Sequence, residues 1–373
     1  MKNLVINGMI LTQEKKVGVP RYVNELLNSL DQIETPFDIE VLMPFDVGHQ
    51  YKRLKKVILN PLGNTQNTRA YRKFWQWILL PMYVAKKGDI LLQPAFDYSF
   101  FRNDIVIIYD LQPEHFKGNY KQKGRLKVYD LIQSVLRRHA IRDSRRLITI
   151  SNYVKKDIIH TYHVKADKIG VVYCGWQHFQ NVRLDDSVFE VFPQIKKHEY
   201  YFSLGSRYRH KNMEWVFAAA EQTPDSMFVV TGYNDVSSYS EKFLMEAPDN
   251  VLFTGYLEDC YVKTLMRYCK AFLQPSLSEG FGIPPLEALS VGAQIIVSNA
   301  TCLPEIYGKT AHYINPLEYK NINLDSILST KTSNPDKILK KYSWNNAARR
   351  LIIIIESLME PGIVRGKRKE LEG

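Results

Sequence analysis

The segment that most limits how this chain can fold runs from Ala271 to Asn299. AFLQPS (271–276) is a short apolar run, SEGFGIPPLEALSVGA (278–293) is a glycine turn entering a helix, and QIIVSN (294–299) is a second apolar run. A strand, a turn, a helix and a strand in that order imply a parallel sheet with a crossover helix, and such units place ligands at the carboxyl ends of their strands. Two carboxylates, Glu279 and Glu287, stand in this unit, separated by seven residues that include two glycines and two prolines. Pro284 and Pro285 favour a helix start. The amides of Gly280, Phe281 and Gly282 therefore lie at a helix N-terminus, a ready place for a phosphate or a sugar hydroxyl. An isolated glutamate pair is more often two solvated side chains. The buried strands on either side favour a ligand site here.

Alternation of strand and helix continues in both directions. NLVING (3–8), FDIEVLMP (37–44), DILLQP (89–94), DIVIIYD (104–110), RLITIS (146–151) and KIGVVYCG (168–175) have the composition of buried strands. Helices are expected over 19–31, over 68–86 in spite of Pro81, over the basic stretch 122–142, and after a cap at Asn152. Residues 176–198 carry no pattern and form a linker. Strands then recur at YYFSLG (200–205), MFVVTG (227–232) and VLFTG (251–255), with helices from Asn212, near 258–269 and, amphipathically, over 344–359. Two such arrays joined by a linker predict an α/β protein of two doubly wound domains. The length of 373 residues accommodates both.

Charge is unevenly spread. Residues 51–150 hold 20 Lys+Arg against 7 Asp+Glu, a local +13 that exceeds the net +11 of the whole chain. That concentration implies a positive face for an anionic partner. Tyr71, Phe74, Trp75 and Trp77 alternate there with Arg69, Arg72 and Lys73. Such a helix suits either a membrane interface with anionic headgroups or a half-buried position with a solvated basic edge. No apolar run reaches the length of a membrane span, and MKNLVING has the look of a first strand rather than a signal peptide. The four cysteines, Cys174, Cys260, Cys269 and Cys302, show no metal-site spacing. No Asp-x-Asp stands ready for a divalent cation, so no metal and no cofactor are expected. No nucleic-acid-binding module is present, so no nucleic-acid partner is expected either.

Residues 278–293 resemble the Glu-x7-Glu signature of the family-four retaining glycosyltransferases, and the likeness extends through TCLPEIYGKTAHYINP (301–316). The resemblance implies the GT-B fold: two Rossmann-like domains facing each other across a cleft. Residues 1–178 would form an acceptor-binding domain, with 345–373 packing back on it, and 179–344 a donor-binding domain. It implies that Glu279 lies by the donor sugar and that Glu287 holds the ribose. GSRYRHKN (205–212) resembles the family segment whose Arg and Lys bind the donor diphosphate, which points to Arg207 and Lys211. KKVGVPRY (15–22) resembles the family's glycine-rich first loop, with Gly18 kept and Pro20 in place of the second glycine.

One position departs from the pattern. Where relatives carry His-Asp, this chain has Tyr109-Asp110. A tyrosine hydroxyl still donates a hydrogen bond to a sugar but does not titrate near neutral pH. Asp110 either anchors its loop or meets the acceptor. In GYLEDCY (255–261), Tyr256 either stacks on the nucleobase or packs in the core. Glu305 is read as a cap or structural anchor.

The implied activity is retaining transfer of a hexose from a nucleotide-diphosphate sugar, UDP favoured over GDP on family habit. The acceptor is a hydroxyl of a glycan, on a lipid diphosphate, in bacterial surface polysaccharide synthesis. The expected location is cytoplasmic and peripheral on the inner face of the cell membrane. The alternative is a non-catalytic nucleotide-sugar-binding protein on the same fold.

Overall fold

The computed structural model describes residues 3–13, 18–61, 63, 68–95, 98, 102–115, 124–205, 208–232 and 247–359. The chain divides into two compact units, Met1–Cys174 with Trp344–Gly373, and Gly175–Ser343. The expected boundary at 178/179 thus falls at 174/175. The reason is local: Trp176 donates its indole N–H to the Leu339 carbonyl at 2.9 Å, which ties the start of the linker to the second unit.

The first unit is built on seven parallel strands: β1 Leu4–Asn7, β2 Ile39–Met43, β3 Lys55–Ile58, β4 Ile90–Gln93, β5 Ile105–Ile108, β6 Arg146–Thr149 and β7 Ile169–Val171. Their order is β3-β2-β1-β4-β5-β6-β7. The central strands are near-continuous runs of Ile, Leu and Val because helices cover both faces, and β4 and β5 are buried throughout. β3 was not expected. It is an edge strand whose lysines face water, and a basic, partly exposed strand lacks the apolar run that marks its neighbours. Lys55 sits opposite Glu40 of β2 and donates to its carboxylate at 3.0 Å. Lys87 at 2.7 Å and the Tyr83 hydroxyl at 2.8 Å complete the set around this buried acid.

The stretch expected as one helix over 68–86 forms three pieces: Arg69–Phe74, a π turn Trp75–Leu79, and Leu80–Lys87. The widened turn ends just before Pro81, so the missing N–H of the proline falls at the start of the next helical piece, where it costs little. The aromatic residues do not share one exposed face. Trp75 is fully buried, with its indole N–H on the Leu59 carbonyl at 2.7 Å, and Tyr71 is buried beside Phe45. The exposed apolar side chains are Phe74, Ile78 and Met82. Asn152 does not cap the helix Asn152–Tyr162. Ser151 does, its hydroxyl accepting from the Val154 N–H at 3.2 Å.

The C-terminal helix Trp344–Met359 packs on the helix Val19–Leu30 of this unit, and the Trp344 ring meets Tyr22 edge-on at 5.5 Å. Ala347, Ala348, Leu351, Ile352, Ile354 and Ile355 form its buried stripe. Gly170 leaves room for it, since a Cβ there would lie 2.6 Å from the Ile354 Cδ1.

The second unit has six parallel strands: β8 Tyr200–Leu204, β9 Met227–Thr231, β10 Val251–Gly255, β11 Ala271–Gln274, β12 Ile295–Ser298 and β13 His312–Ile314, in the order β10-β9-β8-β11-β12-β13. Its core gathers Tyr201, Trp215, Phe228, Leu273 and Ile296. β8 is the first strand of this array, and the chain winds outward from it both ways. The gap between the loops after β8 and β11 is therefore a topological switch point, where open parallel sheets bind ligands. The supposed linker is not featureless. It forms a 3-10 turn, Gln177–Phe179, and a short helix, Val188–Val191, with Phe179 and Val188 buried. Apolar residues are too sparse there to give a period.

Candidate active site at the switch point of the second unit

β11 ends at Gln274, and the chain turns through Pro275 and Ser276 to Glu279. One oxygen of this buried carboxylate accepts three hydrogen bonds: from the Lys211 ammonium at 2.7 Å, the Ser276 hydroxyl at 2.7 Å and the Gln274 amide at 3.0 Å. Its backbone is held too. The Glu279 N–H donates to the Thr301 hydroxyl at 3.1 Å, and the Cys302 thiol donates to the Glu279 carbonyl at 3.2 Å. Thr301 takes a positive φ of 54° to present that hydroxyl, an uncommon conformation for a β-branched residue.

Lys211 ends the 3-10 turn Arg209–Lys211 after β8. Asn212 follows, buried and left-handed at φ 57°, and its amide donates to the carbonyls of Pro275 at 2.9 Å and Pro316 at 2.8 Å. The Leu277 N–H donates to the His210 carbonyl at 2.7 Å. These bonds stitch the loop after β8 to the loop after β11, so Lys211 and Glu279 meet on a rigid base.

The electrostatics follow from that base. Burial works to raise the Glu279 pKa, but the Lys211 charge and the hydrogen bonds from Lys211 and Ser276 outweigh it, and the carboxyl is held below its ordinary value. His210 is pushed down to about 4, by burial first and then by Lys211, so its imidazole is neutral at neutral pH.

Gly282 takes φ 85° and ends the turn where the helix Ile283–Ser290 begins. A Cβ there would lie 2.7 Å from the Leu303 Cδ2, so both the backbone and the packing demand glycine. Phe281 turns its ring inward onto Tyr342, edge-on at 5.4 Å. Glu287 lies one turn into the helix and is buried. Its Oε1 is 2.7 Å from the Nε2 of His178.

The second unit thus holds Glu279, Lys211, Gly280, Phe281, Gly282 and Glu287 on one strand–turn–helix and the loop beside it. Arg207 lies outside the described residues. Tyr256 is half exposed, which removes the core alternative for it. Gly18, Tyr109 and Asp110 belong to the first unit. Gly18 starts the helix Val19–Leu30 at φ 67°, and a Cβ there would meet nothing within 4 Å, so its backbone angle is what calls for glycine. Tyr109 is buried, packs edge-on to Tyr22 at 5.1 Å, and gives its hydroxyl proton to the Pro94 carbonyl at 2.5 Å. The proton offered to a donor sugar is engaged inside the unit. Asp110 accepts from the Gln112 N–H at 3.1 Å and so anchors its own loop. Among the described residues, no group of three or more His, Cys, Asp and Glu side chains is placed to hold a metal ion.

Sequence reading missed His178, Gln274, Ser276 and Thr301. Gln274 and Ser276 carried a signal, being polar residues at the end of an apolar strand. His178 carried none, because its segment lacks any period and its partner is 109 residues away.

Two parallel sheets of this order define a class, the GT-B fold, and solved structures agree. Sucrose-phosphate synthase from Thermosynechococcus elongatus superposes with a TM-score of 0.73 at 15% identity, covering 97% of this chain and 100% of that one. WaaG, a glycosyltransferase involved in lipopolysaccharide biosynthesis, gives 0.62 at 14% identity over 97% of this chain and 100% of its own. Residues 186–315 match the family model described as "Glycosyl transferases group 1". The chain is 26% identical over 319 residues to the O-antigen chain mannosyltransferase RfbU of Salmonella typhimurium, covering 82% of this chain and 84% of that protein. It is 46% identical over 112 residues to the serotype-specific mannosyltransferase WbdA of Escherichia coli, which spans 27% of this chain but 14% of that protein. The chain thus has the GT-B fold and is similar to glycosyltransferases, with the family match confined to residues 186–315.

Proposed function

We propose that the chain transfers a hexose, with retention of anomeric configuration, from a nucleoside-diphosphate sugar to a hydroxyl of a lipid-diphosphate-linked glycan during surface polysaccharide assembly. The observation that carries this reading is the Lys211–Glu279 pair, 2.7 Å apart at the switch point beside a helix start. Lys211 and Arg207 bind the donor diphosphate and stabilise the charge that grows on it as the anomeric bond breaks. Glu279 and the amides of residues 280–282 hold the sugar, and Glu287 holds the ribose. The acceptor oxygen bonds to the anomeric carbon on the face the diphosphate leaves, and its proton passes to the leaving phosphate. No metal takes part.

Mannose is the first candidate sugar, because RfbU and WbdA are mannosyltransferases by name. The nucleotide is UDP or GDP, with UDP favoured on family habit alone. The acceptor is read as lipid-linked because a galactosyltransferase of Escherichia coli, 27% identical over 190 residues, is named for an acceptor on diphosphoundecaprenol. An anionic membrane surface is the further partner, on the inner face of the cell membrane. The local charge of +13 supports this, as do the exposed Phe74, Ile78 and Met82 and, on the helix Gly124–Asp143, the exposed Leu131 and Val135.

Calorimetric titration with UDP, GDP and ADP, with and without Mg²⁺, tests the donor site. Binding of one nucleotide, independent of metal and lost in Arg207→Ala and Glu287→Ala, is expected. A folded protein that binds none of them refutes it. The second reading, a binder without turnover, draws on the engaged Tyr109 hydroxyl. It predicts that the unaltered protein gives no product from any donor, whereas an enzyme loses measurable turnover in Glu279→Gln.

A further inference from the structure

His178 and Glu287 form a contact that the proposed chemistry does not use. Nε2 of the imidazole lies 2.7 Å from the Glu287 Oε1, and only 7% and 5% of the two side chains are exposed. Burying such a pair carries a desolvation cost that a well-packed apolar pair avoids, so the arrangement calls for a reason.

The turn that carries His178 is fixed from three directions. The Phe179 ring is buried beneath it. The Lys263 ammonium donates to the carbonyls of Phe179 at 2.8 Å, Gln180 at 3.1 Å and Val182 at 2.7 Å. Trp176 is held by the Leu339 carbonyl at 2.9 Å. Four residues after the end of the first unit, the chain thus presents an imidazole to the helix Ile283–Ser290 from a clamped turn. An ionised carboxylate only accepts hydrogen bonds, and opposite one the Nε2 of the imidazole is the donor. A donor fixed on Oε1 sets the plane of the carboxylate, and with it the direction in which Oε2 points. A ligand diol needs that direction defined, because two adjacent hydroxyls bind well only to a carboxylate of set orientation.

We infer that His178 is a positioning residue: it orients Glu287 to receive the two hydroxyls of the nucleotide ribose. This rests on the reading of Glu287 as the ribose carboxylate. The chain crossing between the two units would then contribute directly to donor recognition.

The test measures affinity for the nucleoside diphosphate that binds and for its 2′,3′-dideoxy counterpart, by calorimetry on the full chain. The ratio of the two affinities reports the ribose contacts alone. His178→Ala is expected to weaken the ribonucleotide about 10-fold and to leave the dideoxy compound nearly unchanged, so that the ratio collapses. Glu287→Gln is expected to collapse it as well. His178→Gln, which keeps a side-chain N–H, should recover most of the ratio and also serves if the alanine variant fails to fold. A ratio that stays at the wild-type value in His178→Ala, while Glu287→Gln loses it, overturns the inference and leaves the ribose reading standing. Equal weakening of both nucleotides makes His178 merely structural and overturns it too. If Glu287→Gln itself leaves the ratio intact, the ribose reading falls and the inference falls with it.

Discussion

Replacing Lys211 with methionine removes a charge and keeps the stem. In the native protein the ammonium sits 2.7 Å from Glu279, whose side chain is 10% exposed while that of Lys211 is 28% exposed. Charge centres about 4 Å apart attract by about 4 kcal/mol at an effective dielectric of about 20. Lys211 reaches solvent, which screens the pair and provides an alternative for the ammonium. The net loss is therefore smaller, about 2–3 kcal/mol, most of it the cost of leaving a buried carboxylate with, among the described residues, only Gln274 and Ser276 as donors. For a unit of this size that lowers the melting temperature by about 4–12 °C.

Two further readouts separate this account from a general packing defect. Glu279 is held below its ordinary value in the native protein and stays ionised from pH 7.5 to pH 5. Without Lys211, burial acts unopposed by the ammonium and raises the carboxyl, so the variant takes up a proton as the pH falls towards 5. Its deficit relative to wild type should then shrink between pH 7.5 and pH 5. Adding Glu279→Gln to Lys211→Met removes the stranded charge and should restore most of the lost stability, a non-additive cycle. Thermal melts of the four proteins at both pH values provide the assay. Additive losses in the cycle, together with a deficit independent of pH, refute the reasoning.

Other expectations are separately testable. Tyr109→Phe leaves the Pro94 carbonyl without its hydroxyl donor and should cost about 1–2 kcal/mol in a melt while turnover stays within about 3-fold; a 100-fold loss of turnover would return Tyr109 to the donor site. Gly18→Ala should cost about 1–2 kcal/mol, for backbone strain alone. Gly282→Ala adds a clash with Leu303 and should cost about 2–4 kcal/mol, so the order of the two melts checks the packing argument. His210 should titrate near pH 4 in a proton NMR series. Because its folded pKa is depressed, its contribution to stability is present above the unfolded value near 6.5 and declines as the pH falls towards 4; an ordinary pKa near 6.5 would contradict its burial.

What the sequence determined was set by local physics. Runs such as IVII and ILLQ are short, rich in Ile, Leu and Val and bounded by turn residues, which favours strands buried on both faces, and the glycine–proline spacing around Glu279 and Glu287 favours a turn followed by a helix start. The α/β class and the approach of Glu279 to a helix end were legible for that reason, and Lys211 was flagged by the turn after a strand. The rest depended on neighbours distant in sequence. β3 is a strand because β2 offers it an edge and Glu40 meets its Lys55, although its own residues are basic and half exposed. Trp75 went to the core and Phe74 to the surface because consecutive helical residues point about 100° apart and the fold brings the Leu59 carbonyl to the Trp75 indole. The Tyr109 hydroxyl was assigned by a carbonyl 15 residues away, and His178 by a carboxylate 109 residues away. A polar group's partner is chosen by whatever the fold brings within about 3 Å of it, and that choice belongs to the tertiary structure.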